Sequence, residues 1–381
     1  MTSLYVDYGY KVCKVLSDAL TKKQNNIKVD AEESAMYNFC KRQKLITIIG
    51  SVVSSESVGC DKIIKETKAL TLRQIKRAFE SDKVSALLDS MGIPHIIQKG
   101  TTLAKFYESH IMRDSADIDM YVPYEFVDKA SDVLKSHGYT LEKINNSDEF
   151  CFHKPPRYCV ELHTKLSGFN SSQKEIFSAI AKKYTDSNTH VMNDSDNYIC
   201  TLFHLYKHLV LSGVGIRMFL DIFMMQKNGE LDRNYIDEIL SKLNILEFER
   251  VVRDINAVLF ENKPADDDQK AVIEFIFTSG IYGTELMHNN LSQINGKAID
   301  KSKKQKFLES NGISFSAMSM RYPVLRKVPL LYPFSFIHRF FYGIFNHRES
   351  LKEAQKVKNM VSQDTVSQYK KIFDTLHIDT D

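Results

Sequence analysis

Asp117 and Asp119 stand two residues apart in ADIDMYV, residues 116–122. Acid and apolar residues alternate there, which predicts a strand with two unlike faces and both carboxylates on one of them. Two carboxylates on one face repel unless something positive lies between them. Hard oxygen ligands suit Mg²⁺, with Mn²⁺ as the alternative. Glu161 lies in a second predicted strand, YCVELHT, residues 158–164. If the two strands pair, Asp117, Asp119 and Glu161 converge, the layout that two metals about 3.5–4 Å apart require for phosphoryl or nucleotidyl transfer. The competing reading of a lone Asp-x-Asp is a solvated strand edge. The catalytic reading fails if Glu161 faces away from the aspartates, or if a lysine or arginine fills their junction.

The elements around these acids carry further candidates. IPHIIQKG, residues 93–100, predicts a strand running into a turn, and TTLAKFYES, residues 101–109, a helix opened by threonines. Backbone N–H groups of Lys99-Gly100-Thr101-Thr102 could cradle phosphate, and glycine lets it come close; otherwise this is an ordinary strand–helix turn. Arg113 could neutralise phosphate charge or form a surface ion pair with Asp114. KHLVLSGVGIRMFLD, residues 207–221, holds His208, Arg217 and Asp221. Arg217 and Asp221 are four apart, so they share a helix face and can pair. Either Arg217 or His208 reaches a nucleotide, or a buried Arg217–Asp221 pair fixes the helix. His163 follows Glu161 by two and faces the same side, as a supporting partner, a substrate contact or a satisfied core histidine.

The series Lys99-Gly100-Thr101, Arg113-x-x-x-Asp117-x-Asp119, Gly138-Tyr139 and Val160-Glu161-Leu162-His163 resembles the uncharacterised nucleotidyltransferase family 5 of the DNA polymerase β-like nucleotidyltransferase superfamily. The resemblance is best over about residues 90–225. It implies a small mixed sheet flanked by helices, with Asp117, Asp119 and Glu161 as metal-binding carboxylates. The turn containing Gly100 would contact the nucleotide. The family's helical segment with a His, a glycine pair, an Arg and an Asp is matched by His208, Gly213, Gly215, Arg217 and Asp221. The wider superfamily carries a Gly-Ser turn before its Asp-x-Asp strand. Lys99-Gly100-Thr101 replaces it here, which leaves the direction of Lys99 open.

The expected fold class is α+β, with extensive N- and C-terminal helical regions around the sheet. Expected units are an N-terminal helical region over 1–90, an α/β core over 91–170, a helical domain over 171–310 and an aromatic, basic helical segment over 311–381. Thr71 to Gly92 predicts a helix with an apolar stripe of Leu72, Ile75, Phe79, Val84, Leu87 and Leu88. Gly50 to Gly59 reads as a loop or a helix–helix joint, YTLEKIN, FCFHK and YCVELHT as strands, 233–262 as one long helical pattern, Asp266 to Asp268 as a loop or helix start, and 288–307 as a linker.

The 381 residues are 43% hydrophobic and 26% charged, an ordinary globular composition. Fifty-one Lys and Arg against 48 Asp and Glu leave a net charge of +3, which argues against duplex DNA as the main partner. Six dispersed cysteines without a Cys-x-x-Cys predict reduced thiols and no zinc site. With no signal peptide and no apolar run of about 18 residues, the expected location is cytoplasmic. Residues 318–348 interleave Arg321, Arg326, Lys327, Arg339 and Arg348 with aromatics, as a helical lid, a peripheral membrane contact or an acceptor site. The leading function is Mg²⁺-dependent transfer of a nucleoside monophosphate from a triphosphate such as ATP to an acceptor hydroxyl on a sugar, small molecule, protein or RNA end. Alternatives are a nucleotide-binding regulatory module without turnover and a metal-dependent glycosyltransferase, which 90 preceding helical residues disfavour.

Overall fold

Strands form where β-branched and aromatic residues alternate with polar ones between Gly, Pro and Asn signals. A computed structural model describes residues 2–21, 23–145, 148–156, 158–280, 318, 322, 324–338 and 363–378. Among them are β1 (Ile96–Gln98), β2 (Ile118–Tyr121), β3 (Thr140–Asn145), β4 (Glu149–Lys154) and β5 (Tyr158–His163). They make one sheet in the order β1-β2-β5-β4-β3. β2 and β5 pair in parallel and the other neighbours are antiparallel. This is the expected α+β architecture with a small mixed sheet.

Among the described residues the longer helices and the short one after β1 are, in chain order, α1 (Thr2–Thr21), α2 (Glu33–Arg42), α3 (Ile46–Val52), α4 (Asp61–Ser90), α5 (Gly100–Ala104), α6 (Val127–Ser136), α7 (Ser171–Asp186), α8 (Asp194–Leu211), α9 (Ile216–Asn228), α10 (Arg233–Lys242), α11 (Leu246–Glu261), α12 (Asp267–Ser279) and α13 (Gln363–Thr375), with short helical stretches at Val324–Lys327 and 332–338 between the last two. Two apolar cores result. Ile118, Met120, Val160, Leu162, Phe150 and Phe152 from one sheet face pack with Val84 and Leu88 of α4 and Ala130 and Leu134 of α6. The larger core joins α1, α2 and α3 to α8, α9, α11, α12 and α13, so the chain before the sheet packs on the chain after it. Strand alternation turns Asp119, Glu161, His163, Glu149 and Cys151 away from the first core, onto the opposite face.

Several expectations need correction. Residues 53–60 form the joint between α3 and α4, but Gly50 itself lies inside α3, where α4 packs so close that a Cβ would fall onto Thr67 Oγ1. The pattern over 233–262 is two helices, broken where Asn244 takes a left-handed φ of 57°. The helix expected from Thr101 stops at Ala104. In α4, Val84 and Leu88 are buried, but Leu72, Ile75 and Phe79 are 54%, 43% and 72% exposed. The 30-residue helix packs on α3 at one end and α6 at the other, and its middle is tied to the loop before β2 by Gln74 and Arg77 while Ile75 and Phe79 stay uncovered. Asp266 caps α12 through a capping box with Gln269. The expected linker over 288–307 lies outside the described residues. In the aromatic, basic segment residues 332–338 are helical, while Arg321, Arg339, Arg348 and the aromatics from 340 onward lie outside them, as do the side chains of Arg326 and Lys327.

Candidate functional site

Parallel pairing of β2 with β5 places Asp119 directly beside Glu161. Asp117 precedes β2 by one residue and is half-buried. Asp119, Glu161 and His163 bring one donor atom each within 4.8 Å of one another, and Glu149, Cys151 and Glu161 form a second such group one strand further on. Asp117 is not part of either group, but it feels the charge of Asp119 strongly. The three expected carboxylates therefore gather at one end of β2, with Glu161 on the face of Asp119.

A lysine reaches the junction without filling it, because it pairs with only one of the three acids. Lys99 turns inward, and its Nζ lies 3.3 Å from Asp119 Oδ1. His163 Nε2 donates to the same oxygen at 2.9 Å. Burial alone would raise the Asp119 carboxyl, but Lys99 and His163 hold it well below the ordinary carboxylate range. The other two acids lack such compensation. Glu161 is pushed up to about 7 by burial, then by Asp119, Asp117 and Glu149. Asp117 is raised by burial and then by Asp119, with Lys99 and Arg77 pulling the other way. The ammonium thus neutralises one carboxylate and leaves negative charge on its neighbours.

The turn that delivers Lys99 is tight. Lys99 has φ 44° and ψ −131°, a region L-residues rarely adopt, and the Thr102 N–H and Oγ1 both donate to its carbonyl at 2.7 Å. Gly100 follows with φ 31°. Thr101 is exposed beside it. The loop is fastened from beneath by Arg113, which is not on the site surface. Its Nη1 donates to the Gly100 carbonyl at 2.9 Å, and its Nε and Nη2 grip Asp221 at 2.7 and 2.9 Å. Tyr107 Oη donates to Asp221 at 2.7 Å as well. Asp221 therefore pairs with Arg113 from the loop before β2, not with Arg217 one helical turn away. A bidentate guanidinium from a rigid loop outcompetes a neighbour on the same helix, which must bend back to meet it. Arg217 is 9% exposed, and burial and then Arg113 lower its pKa; it makes no hydrogen bond or ion pair among the described residues.

α8 brings one lysine, Lys207, and two neutral histidines, His204 and His208, near Lys99. His208 rests 4.4 Å from the His204 ring, and burial followed by Lys99 and Lys207 pushes it down to about 4. His204 is lowered further for the same reasons, burial first and then Lys99. Lys207 feels partial enclosure, then Lys99, against Glu149 and Asp148. His208 was legible from sequence, but His204 and Lys207 were missed. Their signal was the spacing: residues 204 and 208 are one turn apart on a helix and share its face. Glu149 was also missed, because its convergence with Glu161 depends on β4 pairing.

Two further groups do no chemistry here. Cys151 and Cys159 are each pushed up to about 12 by burial and then by Glu161, so neither is a ready thiolate. Asp89, His95 and His190 also cluster, but every ring nitrogen is committed: His95 to Ser85 and the Ile93 carbonyl, His190 to the His95 carbonyl and Asp89. Among the described residues no helix is long and apolar enough to cross a membrane.

Neither the curated proteins nor the solved structures provided a match. A family model described as uncharacterised nucleotidyltransferase matches residues 30–261, more than half of the chain, and spans the turn, all three carboxylates and the α8–α9 pair. With the acids, the turn and the mixed sheet in place, the match is decisive: this chain belongs to the uncharacterised nucleotidyltransferase family.

Proposed function

We propose that the protein transfers a nucleoside monophosphate from a nucleoside triphosphate to an acceptor hydroxyl, with Mg²⁺ and release of pyrophosphate. The observation that carries this reading is the register of β2 against β5, which sets Asp119 beside Glu161 with Asp117 two residues upstream. The donor set fits a divalent cation: hard oxygens, Asp119 buried and Asp117 and Glu161 half-buried, with Glu161 driven up to about 7 by burial and then by its acidic neighbours. Asp117, Asp119 and Glu161 would hold the metal. When bound, Mg²⁺ polarises phosphoryl oxygen and makes an acceptor hydroxyl easier to deprotonate.

The chain's own residues supply the rest. Gly100 and Thr101 border the carboxylates and let the reacting α-phosphate approach the backbone. With a divalent cation held by the acids, Lys99 would be free to pair with phosphate. Near Lys99, Lys207 is the α8 cation that favours a polyanion, and His204 and His208, kept neutral by burial and by these lysines, can offer ring N–H donors. His163 fixes Asp119 through its Nε2–H. Asp119 or Glu161 accepts the proton that the attacking hydroxyl loses. Arg113 acts through the turn alone, and Arg217 stands behind it near Asp221.

The test is a label-transfer screen with α-³²P nucleoside triphosphates, cell lysate as acceptor pool and the Asp117→Ala/Asp119→Ala protein as control. Mg²⁺-dependent labelling by the wild type alone supports the reading; equal labelling by both proteins refutes it. A second reading, nucleotide binding without turnover, rests on the Lys99–Asp119 ion pair at 3.3 Å. It predicts triphosphate binding that is indifferent to Mg²⁺, with no pyrophosphate released.

A further inference from the structure

A cavity of about 280 Å³ opens between the middle of α4 and the end of β1 and β2. Its wall is largely apolar: Ile75, Ala78, Phe79, Ile97, Ile111 and Ile118 all line it. At one end the lining continues into Asp117, Asp119, Gly100 and Thr101, so the cavity and the carboxylate site are one continuous space. Its mouth carries the exposed part of the α4 stripe, with Phe79 72% and Ile75 43% exposed. Gln98 also lines it; that residue is 7% exposed, and its Nε2 is buried without a hydrogen-bond partner among the described residues. A buried amide donor left unpaired costs free energy, and a ligand oxygen or nitrogen would remove that cost.

We infer that this cavity is the acceptor subsite, and that the acceptor is a small molecule with a flat apolar body, a hydroxyl and a hydrogen-bond acceptor within reach of Gln98. The inference rests on the nucleotidyl-transfer reading and extends it. Charge and in-line geometry choose the acceptor over the nucleobase. Lys207 of α8 acts on Glu149 of β4, and His204 beside it on α8 lies near His163 of β5, on the far side of Asp119 in strand order from β1. The leaving pyrophosphate, the most negative product, is held on that side by Lys207. Attacking and leaving oxygens lie roughly in line across the reacting phosphorus. The nucleophile then arrives from the β1–α4 side, where the cavity lies. The acceptor oxygen bonds to the α-phosphorus, the bond from that phosphorus to the bridging oxygen of pyrophosphate breaks with its electron pair, and the hydroxyl proton passes to a site carboxylate. The volume sits at the lower edge of ligand pockets, about 300 Å³ and up, and admits one ring system, not a polymer.

The probe is 4-methylumbelliferone, a planar ring system with one hydroxyl and one carbonyl, titrated by fluorescence into the full chain. Wild type is expected to bind it saturably. Ala78→Trp, which fills the cavity, is expected to weaken it at least tenfold. Phe79→Ser, at an exposed position where folding is safe, should weaken it at least threefold. Circular dichroism of both variants confirms the fold. The nucleoside triphosphates with Mg²⁺ should not displace the probe, and their own affinity should change less than threefold in Ala78→Trp. No saturable binding to wild type, or equal binding to both variants, overturns the subsite while leaving nucleotidyl transfer standing. Displacement by a nucleoside triphosphate but not by tripolyphosphate makes the cavity a base pocket and overturns the assignment. Probe binding in a protein that binds no nucleoside triphosphate refutes nucleotidyl transfer itself, and the acceptor role with it.

Discussion

Arg113→Met separates an anchoring arginine from one that binds nucleotide. The native guanidinium gives two hydrogen bonds to Asp221, at 2.7 and 2.9 Å, and a third to the Gly100 carbonyl. Arg113 and Asp221 are 6% and 5% exposed, so water cannot replace the lost partner. Removing one member of such a pair strands a buried charge and costs about 3–5 kcal/mol. Asp221 keeps the Tyr107 hydroxyl, which holds the loss near the lower end of that range. The freed Gly100 carbonyl adds about 1 kcal/mol. A total near 4 kcal/mol is a large part of the roughly 5–15 kcal/mol that holds a typical domain together. Urea unfolding at neutral pH measures it, and Arg113→Met/Asp221→Leu should recover only part of the loss, because the carboxylate is no longer stranded but Arg217 and the Tyr107 hydroxyl lose Asp221. Calorimetric titration of a Mg²⁺–triphosphate supplies the second axis. Stability within about 1 kcal/mol of wild type, together with triphosphate affinity reduced tenfold or more, would refute the anchoring role.

The remaining expectations are briefer. The Glu161 carboxyl, ordinarily at 4.5, is raised to about 7 in the metal-free fold, so the native state holds a proton that the unfolded chain releases; stability therefore falls as pH rises from about 4.5 to about 7. Thermal midpoints across that window should show the decline in wild type, lose most of it in Glu161→Gln, and lose it in wild type with excess Mg²⁺. Lys99→Met removes the cation that competes for Asp119, so Mg²⁺ should bind the nucleotide-free protein more tightly while triphosphate affinity drops; calorimetry that finds Mg²⁺ affinity unchanged counts against Lys99 as that competitor. Gly9→Ala in α1 drives a methyl into the Phe277 ring of α12, and overpacking of this kind costs about 1–3 kcal/mol, read as a lowered thermal midpoint.

What the sequence revealed and what it hid divide along a physical line. Asp117, Asp119 and Glu161 were legible because strand periodicity fixes the face of a side chain locally, and only the β2–β5 pairing had to be supplied. The partner of Asp221 was not. Helical spacing favours Arg217, but the actual partner is 108 residues away in sequence, brought in by the packing of α9 against the loop before β2. Lys99 shows the same limit at a single residue: its type and position were evident, but its direction follows from φ 44° and ψ −131°. The α4 stripe was legible as a pattern but its cover was not, because periodicity shows which residues share a face and not whether anything covers them.

That uncovered stretch connects the two halves of the functional reading. A helix that only had to close the sheet could end its apolar stripe where α6 ends. Instead α4 runs 30 residues, buries Ile63, Thr67 and Leu70 at one end and Val84 and Leu88 at the other, and leaves Ile75 and Phe79 over the carboxylate end of β2. Arg77, one residue from Ala78, reaches the Ser115 carbonyl and lies 3.9 Å from Asp114, so the helix is tied to the loop that presents Asp117. An apolar face held open by polar ties to the loop before β2 is costly as packing, since roughly 25 cal/mol per Å² of apolar burial is forgone. It suits a binding surface, because a ligand that covered it would be placed beside Asp117 and Asp119 by the same helix that positions their loop.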